Sequence, residues 1–121
     1  MTYNELQNAL TAEAGILVFF KADGSKRVML CTRNTAMASK FNGLLGIGLQ
    51  ARDGKMNNGK TMAVIDIMKG DIRAFTYDKL IHTEICGDLR DEEVFAKAKE
   101  RVSELERMAQ EGALTISMED L

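Results

Sequence analysis

Apolar positions along this chain recur at two different spacings, and the changes of spacing mark out its elements. Near the start, Thr2 and Glu5 form a capping box, a hydroxyl and a carboxylate that satisfy backbone amides at a helix start. Tyr3, Leu6 and Leu10 follow on one helical face, so a helix is predicted from Tyr3 to about Glu13, ended by Gly15. Ile16 to Lys21 is rich in β-branched and aromatic residues and reads as a strand. It is apolar on both faces, so each side needs a cover, and the first helix is a natural one. Ala22-Asp23-Gly24-Ser25 is a turn, because Asp-Gly supplies positive φ, and Arg27 to Arg33 returns as a second strand.

Asn34 to Lys60 follows neither period. Thr35 to Phe41 fits a short helix. Gly43, Gly46, Gly48, Gly54 and Gly59 then punctuate a stretch that still holds Leu44, Leu45, Ile47 and Leu49, so it is not a plain linker. Long insertions of this kind in a compact domain are often functional. Met62 to Met68 is a third strand, with Ala63, Ile65 and Ile67 on one face and Asp66 on the other. Lys69-Gly70-Asp71 turns into Ile72 to Tyr77, and Leu80 to Cys86 completes five short strands.

Gly87 and Asp88 end the last strand, and Asp91, Glu92 and Glu93 open a long helix with acid at its positive end. Phe95, Ala98, Val102, Leu105 and Ala109 recur at alternating spacings of three and four, a stripe that spans about two heptads. Two uses stay open for it: packing on the strands, or the seam of a homodimer. Gly112 closes the helix, and Ala113 to Leu121 is a tail ending in acid. Five short strands, mostly joined by tight turns, predict a mainly β, α+β fold. Its expected form is a small antiparallel barrel with an N-terminal helix and a long C-terminal helix. Residues 1–86 would be the first helix and the barrel, with 34–60 as a glycine-rich insertion. Residues 87–121 would be the last helix and tail, within the same domain or as a dimer seam.

Charge changes this picture more than composition does. The net charge is −2, but Lys21 to Lys60 carries eight basic residues against two acidic ones, net +6. Thr61 to Leu121 carries fourteen acidic against eight basic, net −6, and Glu5 and Glu13 add −2. Such asymmetry points to an anion-binding side and an acidic side, or to two halves that neutralise each other in the fold. No apolar run approaches the roughly 20 residues of a membrane helix, and the start lacks the pattern of a signal peptide. The expectation is a cytoplasmic protein.

Candidate chemistry is sparse. His82 is the lone histidine, with no serine or cysteine placed to form a nucleophile pair with it. Cys31 and Cys86 sit in apolar strands and read as reduced core thiols, and one histidine with two distant cysteines makes no zinc site. Asp66 and Asp71 flank a turn but supply too few oxygens for calcium. Gly43 to Gly48 lacks the order of a phosphate loop. The best site candidate is the basic set Lys21, Lys26, Arg27, Arg33, Arg52, Lys55 and Lys60. Arg27 and Arg33 are six apart and share a strand face with Met29 and Cys31, so two placements stay open: a common basic face, or the solvent ends of an apolar one. Phe41 and Tyr77 are the aromatics left over for base stacking.

The stretch Val18-Phe19-Phe20-Lys21-Ala22-Asp23-Gly24-Ser25-Lys26-Arg27-Val28-Met29-Leu30-Cys31-Thr32-Arg33-Asn34 resembles the first hairpin of the small phage-encoded SH3-like (Sm-like) β-barrel proteins grouped beside the WYL domains. Val64-Ile65-Asp66-Ile67 with Ile72-Arg73-Ala74-Phe75 is similar to that family's later strands, with Ile72 where the family often has Trp. The resemblance covers residues 1–86. The glycine-rich stretch and the last helix depart from it, and the Trp-Tyr-Leu signature of the WYL regulators is not visible. It implies a phage protein in a bacterial cytoplasm and brings no catalytic residues.

The functional expectation is therefore a non-catalytic binding protein without cofactor or metal. In one reading the basic residues of 21–60 bind nucleic acid or a nucleotide through phosphates, with little sequence readout. In the other, the acidic last helix (Glu100, Glu104, Glu106) and the tail Glu119-Asp120 meet a host protein and inhibit or redirect it.

Overall fold

A computed structural model describes residues 1–41, Leu49 and 59–111. The chain is α+β: a five-stranded antiparallel sheet with a helix before it and a helix after it. The order is α1 (Tyr3–Ala12), β1 (Ala14–Phe20), β2 (Lys26–Thr32), α2 (Thr35–Ser39), β3 (Thr61–Asp66), β4 (Asp71–Thr76), a 3₁₀ turn (Tyr77–Lys79), β5 (Leu80–Gly87) and α3 (Glu92–Gln110). In space the strands run β4-β3-β2-β1-β5. The expected capping box is in place: Thr2 Oγ1 accepts from the Glu5 N–H, and a Glu5 carboxylate oxygen accepts from the Thr2 N–H at 3.0 Å. Asp91 caps α3 by accepting from the N–H groups of Glu93 and Val94. No helix of the described residues is long and apolar enough to cross a membrane.

The expected closed barrel is corrected to an open sheet, with no ladder joining β4 to β5 among the described residues. The sheet nevertheless curls strongly. β1 and β4 are three strand spacings apart, roughly 14 Å in a flat sheet, yet the Phe19 and Phe75 rings lie 5.8 Å apart. The curl encloses Leu17, Met29, Met62 and Val64, and Leu6 and Leu10 of α1 cap this inner cluster. On the outer face, Ile16, Val18, Leu30, Ala63 and Ile65 pack against Ala98, Val102 and Leu105 of α3, with Met37 and Ala38 of α2 beside them. This explains why β1 is apolar on both faces: each face has its own helical cover.

Gly15, expected to stop α1, instead lies inside β1 opposite Cys31. α1 stops at Ala12, and Glu13 is already extended. Gly15 is small for a packing reason, since a Cβ there would sit 2.8 Å from Leu10 Cδ2. The helix end is tied to the sheet by Thr32, whose Oγ1 lies 3.0 Å from both the Leu10 and Glu13 carbonyls, and by the Arg33 N–H, which donates to Leu10 at 2.7 Å. At the other end of α1, the Tyr3 hydroxyl donates to the Thr61 carbonyl at 2.6 Å.

Candidate binding cleft

The feature that shapes the site is where β3 stops. β3 pairs with β2 only at Thr32–Ile65 and Cys31–Asp66, followed by one bond from the Ile67 N–H to the Leu30 carbonyl at 2.9 Å. The chain then turns away through Gly70, whose φ of +65° suits glycine. Asp66 holds this exit. Its Oδ1 accepts from the Lys69 N–H at 3.0 Å, and its backbone carbonyl accepts from Gly70. Its Oδ2 receives Arg27 Nη2 at 2.6 Å and has Arg73 Nε at 3.9 Å. The carboxylate is 2% exposed, so its charge is held by these partners rather than by water.

Beyond that exit the outer half of β2 pairs, among the described strands, with β1 alone. The ladder's alternation fixes which peptide groups face which side. The Lys21 N–H donates to Ser25, so Phe19–Arg27 and Leu17–Met29 are the bonded pairs between the two strands. Lys26, Val28 and Leu30 therefore turn their peptide groups away from β1. Leu30 meets β3, while the Val28 N–H and C=O on that side have no partner among the described residues.

A cleft of about 810 Å³ lies along this edge. β2 from Lys26 to Leu30 forms its floor, the hairpin turn supplies Lys21 and Gly24, and the β3–β4 turn supplies Met68 and Lys69. Val102, Glu106, Ala109 and Gln110 of α3 form the opposite wall. Met68 is a large apolar side chain left 51% exposed at the rim. Lys21 and Lys69 make no ion pair among the described residues.

The predicted basic set is thus divided. Lys21, Lys26 and Arg27 come together at the cleft. Arg33 lies beyond the far end of β2, with Nη1 donating to the Ala63 carbonyl, and Lys60 precedes β3 at that same end. Arg52 and Lys55 fall outside the described residues, as do Gly43, Gly46, Gly48, Gly54, Gly112 and the tail. Arg27 is no free cation: it neutralises Asp66, and replacing it strands a buried carboxylate. Sequence reasoning missed Lys69, Met68 and the open strand edge, and it placed Glu106 on a partner-binding helix face rather than beside the basic residues. Lys69 follows Asp66 too closely to look like part of a distant basic set, and the edge depends on pairing between residues far apart in the chain.

The stripe of α3 faces its own sheet. Ala98, Val102 and Leu105 are buried there, and Phe95 and Ala109 pack at the margins. Phe95 also meets the Phe41 ring at 5.0 Å and the Lys99 ammonium at 4.5 Å. Tyr77 rests on Tyr3 at 5.8 Å, so both aromatics reserved for base stacking are engaged. α3 is not strongly acidic, with five acids and four bases between Glu92 and Gln110. Several of these are paired: Lys97 with Glu93, and Arg101 with both Glu104 and Glu84.

His82 hydrogen-bonds Glu84 at 2.6 Å, and Arg101 Nη2 lies 2.6 Å from the same carboxylate. The Arg101 guanidinium holds the Glu84 carboxyl down at about 2. This trio clasps α3 to β5 and leaves His82 with a structural partner. Burial raises both thiols, Cys31 well above the usual range and Cys86 to about 11, so neither is an activated nucleophile. Among the described residues no group of three or more His, Cys, Asp or Glu side chains gathers to hold a metal ion. No family model matches this chain, and neither the curated proteins nor the solved structures contain a significant match.

Proposed function

We propose that this chain is a non-catalytic binding protein and that its partner is another polypeptide held in the cleft beside β2. The observation that carries this reading is a strand edge with no partner among the described residues, set between a helix wall of mixed polarity and a cationic rim. Exposed edges recruit extended chains, and proteins that do not use them usually blunt or cover them. The partner-binding role stays with the expectation of an adaptor or inhibitor, but its seat moves from the acidic helix to the cleft. α3 is nearly neutral and its apolar stripe is already occupied by the sheet.

The strand order β4-β3-β2-β1-β5, the helix before β1 and the 3₁₀ turn between the last two strands support the SH3-like reading of the fold. With it goes the proposed origin, a phage protein acting on a component of the host cytoplasm. A second reading, nucleic acid or nucleotide bound through phosphates, is favoured by the gathering of Lys21, Lys26 and Lys69 around one cleft.

A photo-crosslinking side chain at Met68, used in bacterial lysate, separates the two. A protein adduct that resists nuclease is expected. An adduct removed by nuclease would overturn this reading in favour of the second.

A further inference from the structure

Val28 is the point at which the cleft can be read more closely. Its peptide N–H and C=O both face the lane that β3 leaves at Asp66, and no described residue answers them. We infer that this lane takes an extended peptide bearing carboxylates, which adds to the sheet as a strand antiparallel to β2. The inference rests on the protein-binding reading above and names the chemistry of the partner.

Three features define the occupant. The four residues from Lys26 to Met29 extend for about 13 Å, room for a peptide of about four residues along the continued line of β3. Opposite Val28, one peptide residue exchanges both backbone bonds with it. On the helix side the lane is bounded by Glu106, Gln110 and the margins of Val102 and Ala109, whose stripe already packs on the sheet. On the turn side stand Lys21 and Lys69, neither in an ion pair among the described residues, which suit carboxylates. Glu106 lies on the helix wall and keeps acid off that face. A phosphodiester backbone fits this lane less well, because it offers acceptors only and leaves the Val28 carbonyl unanswered.

The test is selection of a displayed random peptide library on the full chain. A recovered peptide is then titrated by fluorescence anisotropy against the wild type and three variants. The selected sequences should be rich in Asp, Glu and β-branched residues. Val28→Pro removes an N–H that takes no part in the ladder, a substitution that edge strands accept. It should weaken the peptide at least tenfold, whereas Val28→Ala, which keeps the N–H, should cost less than threefold. Lys21→Ser with Lys69→Ser should weaken binding severalfold and flatten its salt dependence.

If Val28→Pro does not fold, amide exchange at Val28 in the wild type takes its place. Peptide should slow that exchange at least tenfold, and unchanged exchange overturns the proposal. An empty selection, a basic or uncharged consensus, or equal affinity for Val28→Pro in its folded form would also overturn it. A captured protein partner indifferent to Val28→Pro would sink the strand lane but leave the protein-binding reading standing. An oligonucleotide held in the cleft with no peptide recovered would sink both.

Discussion

The two halves of β2 show how one strand serves two purposes. Leu30, Cys31 and Thr32 are buried, pair with β1 on one side, and meet β3 on the other. Among the described strands, Lys26, Arg27 and Val28 have only β1 beside them, and they are half-buried. The backbone geometry is the same in both halves. The difference is set from outside, by a carboxylate on the neighbouring strand. Asp66 draws the chain into a turn by accepting from Lys69 and reaches back to Arg27, so β3 leaves where β2 continues. Stability is concentrated in the half with two neighbours, and availability in the half with one.

Several measurements can break or sharpen that contrast. Leu105→Asp has the largest expected effect, because it places a carboxylate into the fully buried outer core; a loss of about 4 kcal/mol or more in denaturant unfolding is expected, with no gain in solubility of a dissociated oligomer. Arg27→Ala should follow at about 3 kcal/mol, since it removes the closest partner of a buried carboxylate. A near-zero cost would mean that Asp66 does not govern the exit of β3. Leu30→Ala and Val28→Ala test the two halves directly on one face of the strand. About 3 kcal/mol is expected for the first and about 1 kcal/mol for the second, and equal costs would erase the contrast.

The smallest effect concerns acid. The folded-state carboxyl of Glu84 is depressed to about 2, so its contribution is present above the unfolded value near 4.5 and is lost as pH falls from there towards 2. Thermal unfolding should therefore show a steeper acid decline in the wild type than in Glu84→Gln. Parallel profiles would show that the clasp between β5 and α3 contributes nothing to this decline.

What was legible in the sequence is what is local. The capping box needs only Thr2 and Glu5, and the hairpin turn only Asp23 and Gly24, so both could be read within a few residues. The stripe of α3 was legible as a stripe, but periodicity does not name the surface it meets. The sheet supplied that answer. Gly15 was misread because a glycine that ends a helix and a glycine that lets Leu10 approach a strand look alike in sequence. At the site, Lys21, Lys26 and Arg27 were foreseen because one hairpin carries them. The role of Arg27 was not, because its partner lies 39 residues away. An open edge has no residue signature at all: it follows from where another strand ends.

The position of β1 also has a consequence for how the protein is made. This strand is apolar on both faces and pairs along most of its length with β5, the last of the described strands to be synthesised. Residues 14–20 thus emerge from a ribosome long before residues 80–87 can join them. At about 5–20 residues per second the wait is roughly 3–13 s. A nascent chain halted before Leu80 would display a hydrophobic strand with one edge bare, a form of the protein that chaperones or aggregation would claim first.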